Sequence, residues 1–252
     1  LKKWADIQQE IQETWFARDD GVTYGGCFVP FKSIIILRCK TMKQGMQAQA
    51  FVTISLPQNR VPELAVLLQY GIFCPVQGSQ SVQAFLLAQP GLSRAYIEAK
   101  VKTIFVNGQP ADQLETMVTA GDTVALSAAM PGLAGAIFRR QGLHASLRSK
   151  PGQIDTATLG KTTDNSRASS DQGYICLKLF NTIACDLAAI FFSDGVLLPA
   201  RALMHYARRT STLCSSQMPC YWNEELVEDE QLVRLLHTQT RIFLRLQADG
   251  PV

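Results

Sequence analysis

Apolar residues change period several times along this chain, and each change marks an element. Trp4, Ile7, Ile11, Trp15 and Phe16 recur at three- and four-residue steps, which predicts a helix over residues 2–18 with one apolar stripe facing a core. A turn-rich lead-in follows. The β-rich run Phe31–Met42 and the alternating Ala48, Ala50, Val52 and Ile54 flank a Lys43-Gln44-Gly45 turn, which predicts a hairpin. Asn59 then caps a predicted helix across VPELAVLLQYG, with Pro62 near its first turn, Leu64, Leu67 and Leu68 on its buried face and Gly71 at its end. A short helix or turn from Ser81 to about Ala88 stops at Pro90-Gly91, and Ser93 caps a further helical turn, RAYIEAK. KTIFV reads as a strand. Asn107-Gly108 makes its tight turn, Gly121-Asp122 another, and TVALSAA the closing strand.

From Gly152 to Gly173 the large apolar residues thin out, and Ser, Thr, Asp and Gly take over, the composition of a linker. Periodicity returns with YICLKLF as a strand and TIACDLAAIFFSDG as a helix ending at Gly195. Pro199 opens the next helix, ARALMHYARR. The stretch from Cys214 to Trp222 reads as loop, and EELVEDEQLVRLLHTQ as a helix with its acids early and Arg234 and His237 late, which suits the helix dipole. RIFLRLQA ends the chain as a strand with Ile242, Leu244 and Leu246 on one face. These segments predict an α+β protein in four parts. They are an N-terminal helix and lead-in (1–30), a mixed sheet wrapping a helix (31–135), a basic segment and linker (136–173) and a C-terminal α/β unit (174–252).

Over residues 31–130 the order is hairpin, helix, helical turns, strand, turn, strand, which is the order of a β-grasp. Val106-Asn107-Gly108, Asp112, Gly121-Asp122, Val124-Ala125-Leu126 and Met130-Pro131-Gly132 sharpen it. In that order they resemble the ubiquitin-like sulfur carriers, the small subunit of molybdopterin synthase and the thiazole-pathway carrier. The resemblance implies a ubiquitin-like β-grasp domain whose tail leaves the last strand extended, with Met130, Pro131, Gly132 and Gly135 in the position of that tail. A carrier of this family works through a free terminal Gly-Gly. Here the chain continues from Ala136 to Val252, so carrier chemistry requires cleavage after Gly132 or Gly135. The phrase LSAAMPGLAGA also resembles bacterial proteins and implies no activity.

Composition narrows the function classes. With 252 residues, 47% hydrophobic and 18% charged, the chain can bury a core without disulfide or metal staples. A net charge of +3 is too mild for a domain built on phosphate backbones, so no nucleic-acid partner is expected. The most apolar late run, Leu177–Leu198, is broken by Lys178, Asn181, Asp186 and Asp194, and no membrane partner is expected. Seven scattered cysteines without a C-x-x-C pair suit reduced thiols and a cytoplasmic setting. Cys214 and Cys220, with His205 and His237, match no common zinc spacing, so neither a metal nor a cofactor is expected.

Candidate chemistry concentrates in IFRRQGLHASLRSK. Arg140, His144 and Arg148 are four apart and would share a helix face. With Arg139 they form a candidate anion-binding set. A nucleophile set from Ser127 or Ser146, His144 and Asp122 lacks a nucleophile elbow, and no catalytic residue is assigned. The expected function is that of a non-enzymatic β-grasp interaction or scaffold protein, with a protein partner or self-association. The alternative is an enzyme or binding protein for an anionic small molecule at the junction of the two domains; a further alternative is a cleaved sulfur-carrier precursor.

Overall fold

The computed structural model describes residues 50–128, 130, 132–140, 142, 173–210 and 213–249. The predicted N-terminal helix, the Phe31–Met42 strand and most of the 152–173 linker lie outside the described residues.

Two five-stranded sheets and one two-stranded ribbon organise what is described. β1 (Ala50–Pro57) buries Ala50, Val52, Ile54 and Leu56, and leaves Phe51, Thr53 and Ser55 half-buried, as its alternation predicts. Next comes a 3-10 helix, Gln58–Gln69. β2 (Ile72–Val76) and β3 (Gln80–Ser81) lead to α1 (Val82–Leu87) and α2 (Arg94–Lys100). Both helices start as predicted, with Ser81 Oγ accepting from the Ala84 amide and Ser93 Oγ from the Tyr96 amide. β4 (Thr103–Val106), β5 (Gln109–Pro110), β6 (Met117–Val118) and β7 (Thr123–Ser127) follow, then α3 (Gly132–Phe138). Beyond the linker come β8 (Gly173–Phe180), α4 (Asn181–Asp194), β9 (Val196–Pro199) and α5 (Ala200–Arg209). The chain closes with β10 (Cys220–Trp222), β11 (Glu225–Val227), α6 (Asp229–His237) and β12 (Arg241–Asp249).

The first sheet runs β11-β10-β1-β12-β9 and the second β2-β8-β7-β4-β5, with β3-β6 as the ribbon. Each large sheet has a parallel pair at its centre, β1 with β12 and β7 with β8. Each carries one antiparallel strand on one side, β9 or β2, and a hairpin on the other, β10-β11 or β4-β5. Helix α4 packs on the 3-10 helix and on β7, β8 and β12, so it touches both sheets. Ile183, Leu187 and Phe192 of α4 join Ile54, Leu68, Leu126 and Leu177 in one continuous core.

Three expectations need correction. β1 does not complete its ladder within residues 31–135: it pairs with β10 and β12, both from the C-terminal third. Likewise β8 supplies the strand between β2 and β7, so the sheets cut across the division drawn between 31–135 and 174–252. The composition break at 152–173 marks a long connection and not a boundary between sheets. Second, VPELAVLLQYG is a 3-10 helix and Asn59 does not cap it. Val61, Leu64 and Leu67 are all buried at three-residue spacing, which aligns on one face at three residues per turn, and Pro62 withholds an amide from the segment. Third, Glu225–Val227 is strand β11 and not the start of a helix. Asn223 and Glu224 turn the chain with φ of 49° and 76°, and Val227 pairs opposite Cys220 and is buried.

Candidate functional site

Strand alternation in the second sheet puts Ile72, Cys74, Ile175 and Leu177 into the core and turns Phe73, Tyr174, Cys176 and Lys178 to the other face. Thr123 of β7 lies opposite Cys176 and Ala125 opposite Lys178. On the far side of that face Phe138 of α3 packs on Phe105, with ring centroids 5.5 Å apart. Near β2 a cleft of about 440 Å³ opens, and Phe73, Asp122, Tyr174, Cys176 and Arg241 line it.

Arg241 is the first residue of β12, so the first sheet delivers it to a face of the second. Its guanidinium lies 4.0 Å from the centre of the Phe73 ring and 5.4 Å from that of Tyr174. The two rings meet edge to face at 6.4 Å. A guanidinium laid on aromatic faces is held in place by their quadrupoles and keeps its N–H edge for an in-plane acceptor. Among the described residues no carboxylate pairs with Arg241. Asp122 is spoken for: one carboxylate oxygen accepts from Asn107 Nδ2 at 2.9 Å and the other from the Thr119 amide at 2.7 Å.

Burial pushes the Cys176 thiol up; Lys178, the Thr123 side chain, Arg241 and Arg201 act against it. Three cations therefore act on one half-buried sulfur at the floor of the cleft. Gly71 has φ of 100°, and a Cβ there would run into that sulfur, so glycine is needed for the floor to close.

The candidates drawn from sequence fall elsewhere. Arg140 is half-buried; its amide donates to the Lys102 carbonyl at 2.8 Å and its guanidinium to the Val101 carbonyl at 3.5 Å. It fastens the end of α3 beside β4. Arg139 is exposed, while His144 and Arg148 lie outside the described residues. Of the tail-like motif, Pro131 also lies outside them. Gly132 has φ of 68°, and a Cβ on Gly135 would run into the Met130 carbonyl, so this segment is a tight entry into α3 and not an extended tail.

Ser127 is buried and accepts from Asn181 Nδ2 at 3.0 Å, at the opposite end of β7 from Asp122, so these two do not form a set. His205 stacks on Tyr70 with centroids 6.3 Å apart, and His237 contacts Arg208. Neither reaches Cys214 or Cys220 in a cluster: among the described residues no three His, Cys, Asp or Glu side chains gather as metal ligands. No helix of the described residues is long and apolar enough to cross a membrane.

Sequence reading missed Arg241, Phe73 and Tyr174. Their only local signal is alternation, in which each occupies the face opposite a run of core residues. Their meeting depends on the order of strands in two sheets. No family model, curated protein or solved structure matches the chain.

Proposed function

We propose that the chain is a binding protein for a small anionic molecule, held in the cleft at the junction of the two sheets. The observation that carries this reading is Arg241, its guanidinium 4.0 Å from the Phe73 ring centre and 5.4 Å from that of Tyr174, half-buried and without a carboxylate partner among the described residues. Lys178 and Arg201 add positive charge on the same side, and Asp122 is occupied by its own turn. A carboxylate or phosphate accepts two parallel bonds from a fixed guanidinium, and a planar ligand also gains from the aromatic walls. No catalytic step enters this reading, because Ser127 and Asp122 are each engaged in structure.

Thermal-shift screening against inorganic phosphate, nucleotides and mono- and dicarboxylates tests it. A ligand present at 100 times its Kd stabilises the fold by about 2.7 kcal/mol. Each charged hydrogen bond lost costs about 1.5–3 kcal/mol, and Arg241→Ala removes up to two, so it should weaken binding by at least about 10-fold, while Arg139→Ala should not. Silence across the panel, or equal shifts with and without Arg241, overturns the reading.

A second reading rests on the strand orders. Each large sheet has a central parallel pair with antiparallel flanks, and both sheets touch α4. That pattern supports a β-grasp-like interaction or scaffold role, with a protein partner or a second copy. Leu226 on the outer strand β11 is 66% exposed, which gives such a partner an apolar contact. Sedimentation of the purified chain across a concentration series tests self-association, and a monomer throughout counts against it. Intact mass tests the sulfur-carrier precursor: no product ending near Gly132 or Gly135 removes it.

A further inference from the structure

Leu213–Cys220 is a tight loop with two thiols. Ser215 and Met218 exchange both backbone hydrogen bonds, at 3.1 and 3.0 Å, which folds the loop back on itself. Cys214 precedes the bridge and Cys220 follows it as the first residue of β10. The Cys220 sulfur is fully buried; it lies 3.8 Å from the Leu213 carbonyl and 3.7 Å from the Met218 carbonyl, so it sits beneath the peptide that enters Cys214. The Cys214 amide is pinned by Asp229 Oδ1 at 2.7 Å, and its half-buried thiol interacts with the Cys220 thiol, whose sulfur lies 3.8 Å from the Leu213 carbonyl just before it. None of this belongs to the cleft.

We infer that Cys214 and Cys220 are a dithiol that closes reversibly to a disulfide by exchange with a small-molecule disulfide. Thiol–disulfide exchange proceeds through a mixed disulfide, and the second thiol must already stand beside the first to resolve it. Cys214 is the accessible member and attacks the incoming disulfide as its thiolate, releasing one small thiol and keeping the other half as an adduct. Cys220 then attacks the Cys214 sulfur and expels the second small thiol. Two protein thiols and one small disulfide become one protein disulfide and two small thiols, with each protein proton passing to a departing thiolate.

The contact with Cys220, burial and the charge of Asp229 all hold the Cys214 thiol above the usual range. Exchange at Cys214 is therefore slow, and Cys185, exposed on α4, is the more accessible thiol. The closed form ties the loop to β10, whose ladder with β1 begins at Cys220.

Glutathione disulfide, followed by alkylation and trypsin, tests the inference on the full chain. Cys214 and Cys220 fall within one tryptic peptide, between Arg209 and Arg234. The expected product is that peptide two hydrogens lighter and carrying no alkyl group, returning to two alkylated thiols after reduction. The Cys185 peptide should carry a retained glutathione. Cys220→Ser should leave glutathione on Cys214, because the resolving sulfur is gone. Two alkyl groups on the untreated-mass peptide, or a glutathione retained there in the unsubstituted chain, overturns the inference. Measurement on the unsubstituted chain decides this even if the variant does not fold.

Discussion

Asn107 shows how much one side chain can do at a turn. Its φ is 52°, a region most L-residues avoid, and Asn is among the few that tolerate it. Its amide nitrogen donates to Asp122 and its amide oxygen accepts from the Thr123 amide at 2.8 Å, so it sews the β4-β5 turn to the start of β7. Asn107→Gly keeps the backbone region and loses both bonds, which should cost about 1–2 kcal/mol in urea unfolding. Asn107→Ala also meets the backbone penalty and should cost about 1–2 kcal/mol more. If the two variants are equally stable, the backbone argument fails. Tyr96 makes a pH-dependent case at the same scale. Burial, with the Asp186 carboxylate accepting from its hydroxyl at 3.2 Å, pushes its pKa up to about 12. The folded state thus holds this proton more tightly than the unfolded chain. The associated stability is complete below about pH 10 and is lost as pH rises through about 12. A melting series across that range should fall more steeply for the unsubstituted chain than for Tyr96→Phe.

The two outer hairpins are the elements that best separate what the sequence discloses from what it hides. Asn107-Gly108 announces a left-handed turn, and β4-β5 forms there with Gly108 at φ 79°. Asn223-Glu224 makes the equivalent turn with φ of 49° and 76°, but Glu is not a turn signal, and the acids that follow read as a helix start. Asn223 works as Asn107 does: its Oδ1 accepts from the Phe51 amide at 2.9 Å, and its own amide donates to the Phe51 carbonyl at 2.8 Å. Glu224 therefore carries the strain of this hairpin. Glu224→Gly should stabilise the fold by about 0.5–1 kcal/mol, against the usual direction of glycine substitutions. A lower urea midpoint would show that the Glu224 side chain contributes more than its backbone costs. Some locally coded features were legible: the Ser93 cap, the Gly195 end of α4 and the alternation of β1 and β12. Partners were not legible. Alternation tells which side of β1 is buried but not that β12, almost two hundred residues later, lies beside it. The cleft stayed hidden for that reason, since Phe73, Tyr174 and Arg241 come from three strands of two sheets.

At the scale of the molecule the interleaving of the sheets has a consequence for folding. Residues 50–128 supply β1 to the first sheet and β2, β4, β5 and β7 to the second, while residues 173–249 supply β8 to the second and the other four strands of the first. Separated, each part leaves a central parallel strand without its partner: β7 without β8, and β12 without β1. Parallel pairs sit at the middle of a sheet because both faces and both edges need cover. Leu126 and Leu177 on the one pair, and Ile54 and Leu244 on the other, are all fully buried, so separation would expose apolar surface from both sides of each ladder. Two independent domains on either side of residue 142 would instead give two folded fragments. The pairing predicts that fragments 1–142 and 173–252, made singly, show no dispersed amide spectrum, and that making them together restores one fold with a single cooperative unfolding transition. Independent folding of either fragment would sink this account of the fold. It would also detach Arg241 from Phe73, leaving the proposed anion-binding cleft without its guanidinium.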